Sequence, residues 1–218
     1  EPVLNLGVDA VAAVRDAVGP DIAIYIDCNG IFNTTGNAIR AANAIESYNI
    51  NFFEEPVPHD NLDEIAYVRR KVNMPVATGE RLFTIYRFQQ LLKRGGADIV
   101  QPDMSHCGGI LEARKIAALA DSHYVAVAPH NPNGEIAYAA AVQLAACIPN
   151  FLVLEHFPPE PWRFEVCPNP MTVEDGWLTI PDRPGLGIEF NEEAAAEHPY
   201  VPVDLYDLHR PEGREKKV

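Results

Sequence analysis

The sequence predicts an α/β fold of the (β/α)8 TIM-barrel type, incomplete within this chain: about six βα units and then a C-terminal tail. Three observations predict it. Short apolar runs of β-forming residues alternate with helical patterns. Each run is followed by a polar residue of a type that does chemistry. These polar residues recur 23–27 residues apart, roughly the length of a strand, a helix and two loops.

The first segment, residues 7–18, has a helical pattern. The strand runs follow in order as residues 23–26, 51–53, 75–78, 99–101, 125–128 and 152–154. They are apolar without strict alternation, as strands buried on both faces are. Between the third and fourth, Ile85, Phe88, Leu91 and Leu92 form one apolar helical stripe, and Gly95-Gly96 ends that helix. Between the fourth and fifth, Ile110, Ala113, Ala117 and Ala120 form another. Strands that alternate with helices pair in parallel. Asp27, Glu54, Glu80, Asp103, His130 and Glu155 then all project from the C-terminal end of one sheet, where barrels build their sites. A doubly wound open sheet shares the alternation, but it gathers ligands mainly at one switch-point crevice, so the barrel is preferred.

Composition narrows the function. The 218 residues are 47% hydrophobic and 22% charged, the balance of a globular chain rather than a disordered one. With 17 Lys+Arg against 31 Asp+Glu, the net charge of −14 repels phosphate and excludes nucleic acid as the expected partner. No apolar run reaches the roughly 18 residues of a membrane span, so no membrane partner is expected either. Cys28, Cys107, Cys147 and Cys167 share no CxxC spacing. They read as free, mostly buried thiols of a reducing compartment, with the cytoplasm as the expected location.

Taken singly, Asp27, Glu54 and Glu80 are the solvated or helix-capping carboxylates that follow many strands. Taken together, on three successive strands, they would repel one another unless a cation sits between them. Oxygen-only ligation completed by water and substrate is the pattern of Mg²⁺. Asp103 and His130 come from the next two strands. A carboxylate bonded to one imidazole nitrogen fixes the tautomer and makes the other nitrogen a competent base. His59, His123, His198 and His209 read as structural or surface residues, and His106 is open between roles. Gly108-Gly109 either permits a tight turn into a helix or admits an anion at its N-terminus.

These residues lie in a specific ordered set of motifs: Ile26-Asp27-Cys28-Asn29-Gly30, Phe53-Glu54-Glu55-Pro56, Thr78-Gly79-Glu80-Arg81-Leu82, Gln101-Pro102-Asp103, Ser105 to Ile110, and Ala128-Pro129-His130-Asn131-Pro132. Leu154-Glu155 and Gly185 to Glu189 follow. From about residue 20 to about residue 193 the chain resembles the barrel of the enolase superfamily, in its mandelate racemase branch, and is most similar there to sugar-acid dehydratases such as galactonate dehydratase. The resemblance implies Asp27, Glu54 and Glu80 as Mg²⁺ ligands, Asp103 and His130 as a catalytic dyad, and Glu155 as an acid that hydrogen-bonds the substrate carboxylate or its enediolate. It implies abstraction of the proton α to a carboxylate, then loss of a β-hydroxyl to give a 2-keto-3-deoxy acid. The substrate would be an aldonate, an aldarate or another α-hydroxy carboxylate. A homo-oligomer is also implied.

Two departures qualify this. Galactonate dehydratase has His two residues after the first metal ligand; here that position is Asn29, a substrate-binding candidate that cannot supply a proton. The family's catalytic lysine strand precedes the Asp27 strand, whereas residues 1–22 hold no lysine. Glu1 in place of Met fits the expectation that more lies upstream. Residues 1–155 are thus expected to be a partial catalytic barrel. Residues 156–218, rich in Pro, are expected to be an extended tail wrapping back towards a capping domain outside this chain, with a frayed stretch at 212–218. A racemase, epimerase or cycloisomerase would use the same residues, and a non-catalytic barrel is the remaining alternative.

Overall fold

A computed structural model describes residues 2–158 and 160–200. His209 and the stretch 212–218 lie outside the described residues. Helix α1 (Pro2–Val18) leads into five βα repeats. These are β1 (Ile24–Asp27) and α2 (Thr35–Ile45), β2 (Ile50–Glu54) and α3 (Leu62–Arg69), β3 (Val76–Thr78) and α4 (Thr84–Lys93), β4 (Ile99–Val100) and α5 (Gly109–Asp121), and β5 (Ala126–Val127) and α6 (Glu135–Ala145). The sheet runs β1-β2-β3-β4-β5 with every pair parallel. This chain order, each strand beside its predecessor, is that of a barrel wall. The sixth run joins by a single parallel bridge, Val127 to Phe151, with the Leu152 amide donating to the Val127 carbonyl at 2.8 Å.

Local chemistry sets the boundaries. Thr34 caps α2 by accepting from the Asn37 amide, and Asn61 caps α3 by accepting from that of Asp63. Gly95 ends α4 at φ 63°, and the Gly96 amide donates back to the Leu91 carbonyl at 3.1 Å, as a C-terminal glycine does. The second helical stripe is corrected in one place. Ile110 is exposed, and Ile116 instead joins Ala113, Ala117 and Ala120 in the core. Gly108-Gly109 makes the turn into α5, and Gly108 packs on Glu112, whose carboxylate accepts from the Ile85 amide at 2.9 Å.

Two apolar layers follow from side chains alternating across the strands. Phe53, Val76, Val100 and Val127 face the helices and pack with Ile65, Phe88, Leu91 and Ile116. Phe52, Ala77 and Ile99 face the other way and form a smaller cluster with Ala128 and Val153, the layer that fills a barrel interior. Tyr25 stacks on Phe52 with ring centroids 4.3 Å apart yet stays exposed, and Leu152 of the sixth run is exposed as well.

The tail holds more structure than its prolines predict. It contains α7 (Arg163–Val166), a hairpin of β6 (Val173–Glu174) and β7 (Trp177–Leu178), and α8 (Glu192–Glu197). Asp175-Gly176 turns the hairpin with both residues at positive φ, the two-residue connection that matches strand twist. Met171, Leu178, Leu186 and Ile188 pack on Tyr138, Ala139 and Val142 of α6. All four cysteines are free: Cys107 and Cys167 are buried, Cys28 is half-buried and Cys147 is exposed. No helix of the described residues is long and apolar enough to cross a membrane.

Candidate active site

The register of the sheet brings the carboxylates together. Asp27 and Glu54 are paired end residues of β1 and β2, so their side chains leave neighbouring strands at one height. Glu80 lies two residues past β3, beyond Gly79. A Cβ on Gly79 would lie 2.8 Å from the Phe88 ring and 3.1 Å from the Gln101 amide nitrogen, at φ 136°. Only glycine allows that close turn, which returns Glu80 over the strand ends. One oxygen from each of Asp27, Glu54 and Glu80 lies within 4.8 Å of the other two.

Burial and mutual repulsion act on this cluster. Glu54 is 8% exposed, and burial pushes its carboxyl up to about 8, with Asp27, Glu80 and Glu155 adding to the rise and a hydrogen bond from Gln101 opposing it. Burial also raises Glu80, against the pull of His130 and Arg81. Such a set fits a divalent cation. It offers oxygens only, the donor preference of Mg²⁺. Its spacing is also close to the roughly 3–4 Å between oxygens around an ion held at about 2.1 Å. Buried oxygens of Glu55, Gln101 and Asn131 nearby have no hydrogen-bond partner.

The dyad forms beside it. Asp103, fully buried, faces His130 Nδ1 through Oδ2 at 2.8 Å. The Asn133 side-chain amide donates to the same oxygen at 2.8 Å, and the Ser105 backbone amide donates to Oδ1 at 2.6 Å. Burial opposes ionisation of Asp103, but these three donors outweigh it and hold the carboxyl below its usual range. Asp103 therefore accepts, Nδ1 of His130 carries its proton, and Nε2 is the nitrogen that gains and loses one. Nε2 lies 3.1 Å from Glu80 Oε2 and 4.0 Å from Glu155 Oε2. Burial lowers the His130 proton affinity, yet Asp103, Glu80 and Glu155 together raise it above the ordinary value.

Glu155 accepts from the Asn131 backbone amide at 2.7 Å, and the same oxygen lies 4.0 Å from His130 Nε2, near enough for its charge to act on Glu54. The structure thus gathers all six strand-end residues. Asn29 sits in the same group, but its side chain is engaged. Its amide donates to Asp27 Oδ2 at 3.4 Å and its oxygen accepts from Arg81. The His106 ring lies 3.4 Å from the Glu80 carbonyl and is tilted against Phe83, with ring centroids 6.1 Å apart. Sequence reasoning gave no role to Arg81, Gln101 or Asn133. Arg81 and Gln101 lie inside the motifs, and Asn133 follows directly on one, so motif adjacency was the available signal.

The model of the family described as enolase C-terminal domain-like matches residues 2–194. The chain belongs to that family. The mandelate racemase branch read from the motifs is the one matched. Among curated relatives, a D-xylonate dehydratase of Haloferax volcanii is 35% identical over 207 residues, covering 94% of this chain and 50% of the relative. A D-galactarolactone cycloisomerase of Agrobacterium fabrum is 40% identical, covering 86% of this chain and 52% of the relative. A crystal structure of an enolase from Agrobacterium radiobacter, bound to Na and L-malate, superposes with a TM-score of 0.89 at 33% identity. It covers 97% of this chain and 57% of that one. The chain spans about half the length of the curated relatives it matches.

Proposed function

We propose that the protein abstracts the proton α to the carboxylate of a sugar acid and dehydrates the product to a 2-keto-3-deoxy acid, with Mg²⁺ as cofactor. One observation carries this reading: a histidine whose Nδ1 is fixed by a buried carboxylate points its Nε2 at a cluster of three more. An acid–base group and a cation site in contact are what enolisation of a carboxylate needs, because the enediolate is a dianion that water stabilises poorly.

Asp27, Glu54 and Glu80 would hold the Mg²⁺, whose chemistry when bound is to neutralise charge developing on the substrate carboxylate. His130 Nε2 takes the α-proton, and Asp103 stabilises the imidazolium that results. Glu155, held by the Asn131 amide, is placed to hydrogen-bond the same substrate carboxylate. Asn29 carries no transferable proton and is bonded to Asp27 and Arg81. His130 would then serve as both base and acid, returning a proton to the departing β-hydroxyl, unless another group supplies it. The L-malate bound in the structural relative is itself an α-hydroxy carboxylate accompanied by a cation, and the xylonate dehydratase supports dehydration.

A second reading, cycloisomerisation, is favoured by the cycloisomerase, which has the higher identity of the two relatives described. The two readings share proton abstraction and part only in the product. The test is an NMR assay of α-proton exchange in D₂O with aldonic and aldaric acids. His130→Asn is expected to end exchange while Mg²⁺ binding persists. Exchange at the wild-type rate in that variant refutes His130 as the base, and exchange without any 2-keto product refutes dehydration.

A further inference from the structure

We propose that Arg81 is the positioning residue that locks the three-carboxylate cluster into metal-binding geometry; the inference rests on the metal-dependent reading above. Its guanidinium reaches all three loops that carry the cluster. Nε meets Glu80 Oε1 at 3.1 Å. Nη2 donates to the Asn29 carbonyl at 3.1 Å and also to the Asn29 side-chain oxygen. Asn29 in turn holds Asp27, through its backbone amide at 2.7 Å and its side-chain amide at 3.4 Å. Nη1 lies 4.0 Å from Oε2 of Glu55, a fully buried oxygen with no hydrogen-bond partner. Glu55 directly follows Glu54, and its other oxygen is fixed by Thr78 and by the Gly79 amide.

The first loop is shaped around this side chain. A Cβ on Gly30 would fall 2.8 Å from Arg81 Nη1, so a side chain there would occupy the space the guanidinium takes. The contact with Glu80 has a second consequence. With Oε1 given to Arg81, Oε2 is the oxygen turned towards His130, at 3.1 Å. One guanidinium thereby sets both the spacing of the carboxylates and the approach of the base.

Two effects of Arg81 oppose each other. Its charge repels the cation it helps to seat, whereas its fork of five N–H groups holds Glu80 and Asn29 in fixed directions. The side chain is 30% exposed, so solvent screens the repulsion, while the geometric constraint is unaffected by screening. Loss of an outer partner of a metal ligand typically costs about 10–100-fold in affinity, and that loss is expected to win. Lysine separates the two effects, since an ammonium keeps the charge but cannot span Glu80, Asn29 and Glu55 together.

The test uses the intact protein and its Arg81→Lys and Arg81→Met variants. Mg²⁺ affinity is measured by calorimetry, and the EPR spectrum of bound Mn²⁺ reports ligand geometry. Circular dichroism in EDTA checks the fold. Both variants are expected to bind Mg²⁺ about 10–100-fold more weakly and to alter the Mn²⁺ spectrum, with the fold intact. Wild-type affinity and spectrum in Arg81→Lys overturn the proposal, because charge alone then suffices. Should either variant fail to fold, Asn29→Ala removes the side-chain half of the link from Arg81 to Asp27 and leaves the backbone half in place. It is expected to weaken Mg²⁺ in the same direction, and unchanged affinity overturns the proposal. A wild-type protein that binds no divalent cation brings down the metal-dependent reading and the Arg81 role with it, an outcome distinct from variants that match a metal-binding wild type.

Discussion

Replacing Glu54 by Gln should stabilise the metal-free protein and abolish its response to Mg²⁺. The side chain is 8% exposed, within 4.8 Å of two other carboxylates, and its carboxyl is pushed from the ordinary 4.5 up to about 8. A carboxyl raised in the folded state favours folding while it is protonated. Below about pH 4.5 it costs nothing, and the cost grows as pH rises and is complete above about 8. At 1.36 kcal/mol per tenfold change in proton affinity, the gap amounts to roughly 3–5 kcal/mol. Gln keeps the shape and carries no charge. In EDTA at pH 8.5, urea unfolding should show Glu54→Gln more stable by an appreciable part of that amount, with the advantage gone near pH 4. Mg²⁺ at a hundred times its Kd adds about 2.7 kcal/mol to a protein that binds it, and this gain should appear in the wild type alone. A variant no more stable than wild type in EDTA, or one that gains as much from Mg²⁺, would refute the reasoning.

Other perturbations probe the parts separately. Asp103→Asn replaces a carboxylate that takes three donors by an amide with one oxygen. At least one buried donor loses its partner, at about 1–3 kcal/mol, and α-proton exchange should fall about 100-fold or more as His130 loses its fixed tautomer; unfolding curves and exchange rates equal to wild type would exclude this role. Gly79→Ala drives a Cβ into the Phe88 ring at a positive φ. It should cost about 2–3 kcal/mol and weaken Mg²⁺ through Glu80, as urea titration and calorimetry would show. A fully stable Gly79→Ala protein would mean that the turn relaxes freely.

Much of this arrangement was legible in the sequence because each chemical residue follows an apolar run. Asp27 and Glu54 end their strands, and Glu80, Asp103 and His130 lie two or three residues beyond theirs, so reading the run located the residue. The sixth run was legible as a strand, yet it makes only a single bridge, since on its other side no described strand pairs with it. Ile110 was misplaced because α5 is rich in alanine, and small residues on several faces blur the stripe that marks the buried one. In the tail, the prolines masked a hairpin that Asp175-Gly176 already signalled. Arg81 and Asn133 make hydrogen bonds to residues 52 and 30 positions away. Such contacts leave no period in the sequence, and only the folded loops reveal them.

Proton abstraction next to a carboxylate by a metal-dependent site is the centre of the account, and α-proton exchange measures it most directly. The intact protein, incubated in D₂O with aldonic and aldaric acids, should remove the α-proton of at least one acid in Mg²⁺, by exchange or in forming a 2-keto product, and of none in EDTA. Loss of the α-proton that proceeds equally in EDTA, or no loss from any acid with Mg²⁺ bound, would contradict it.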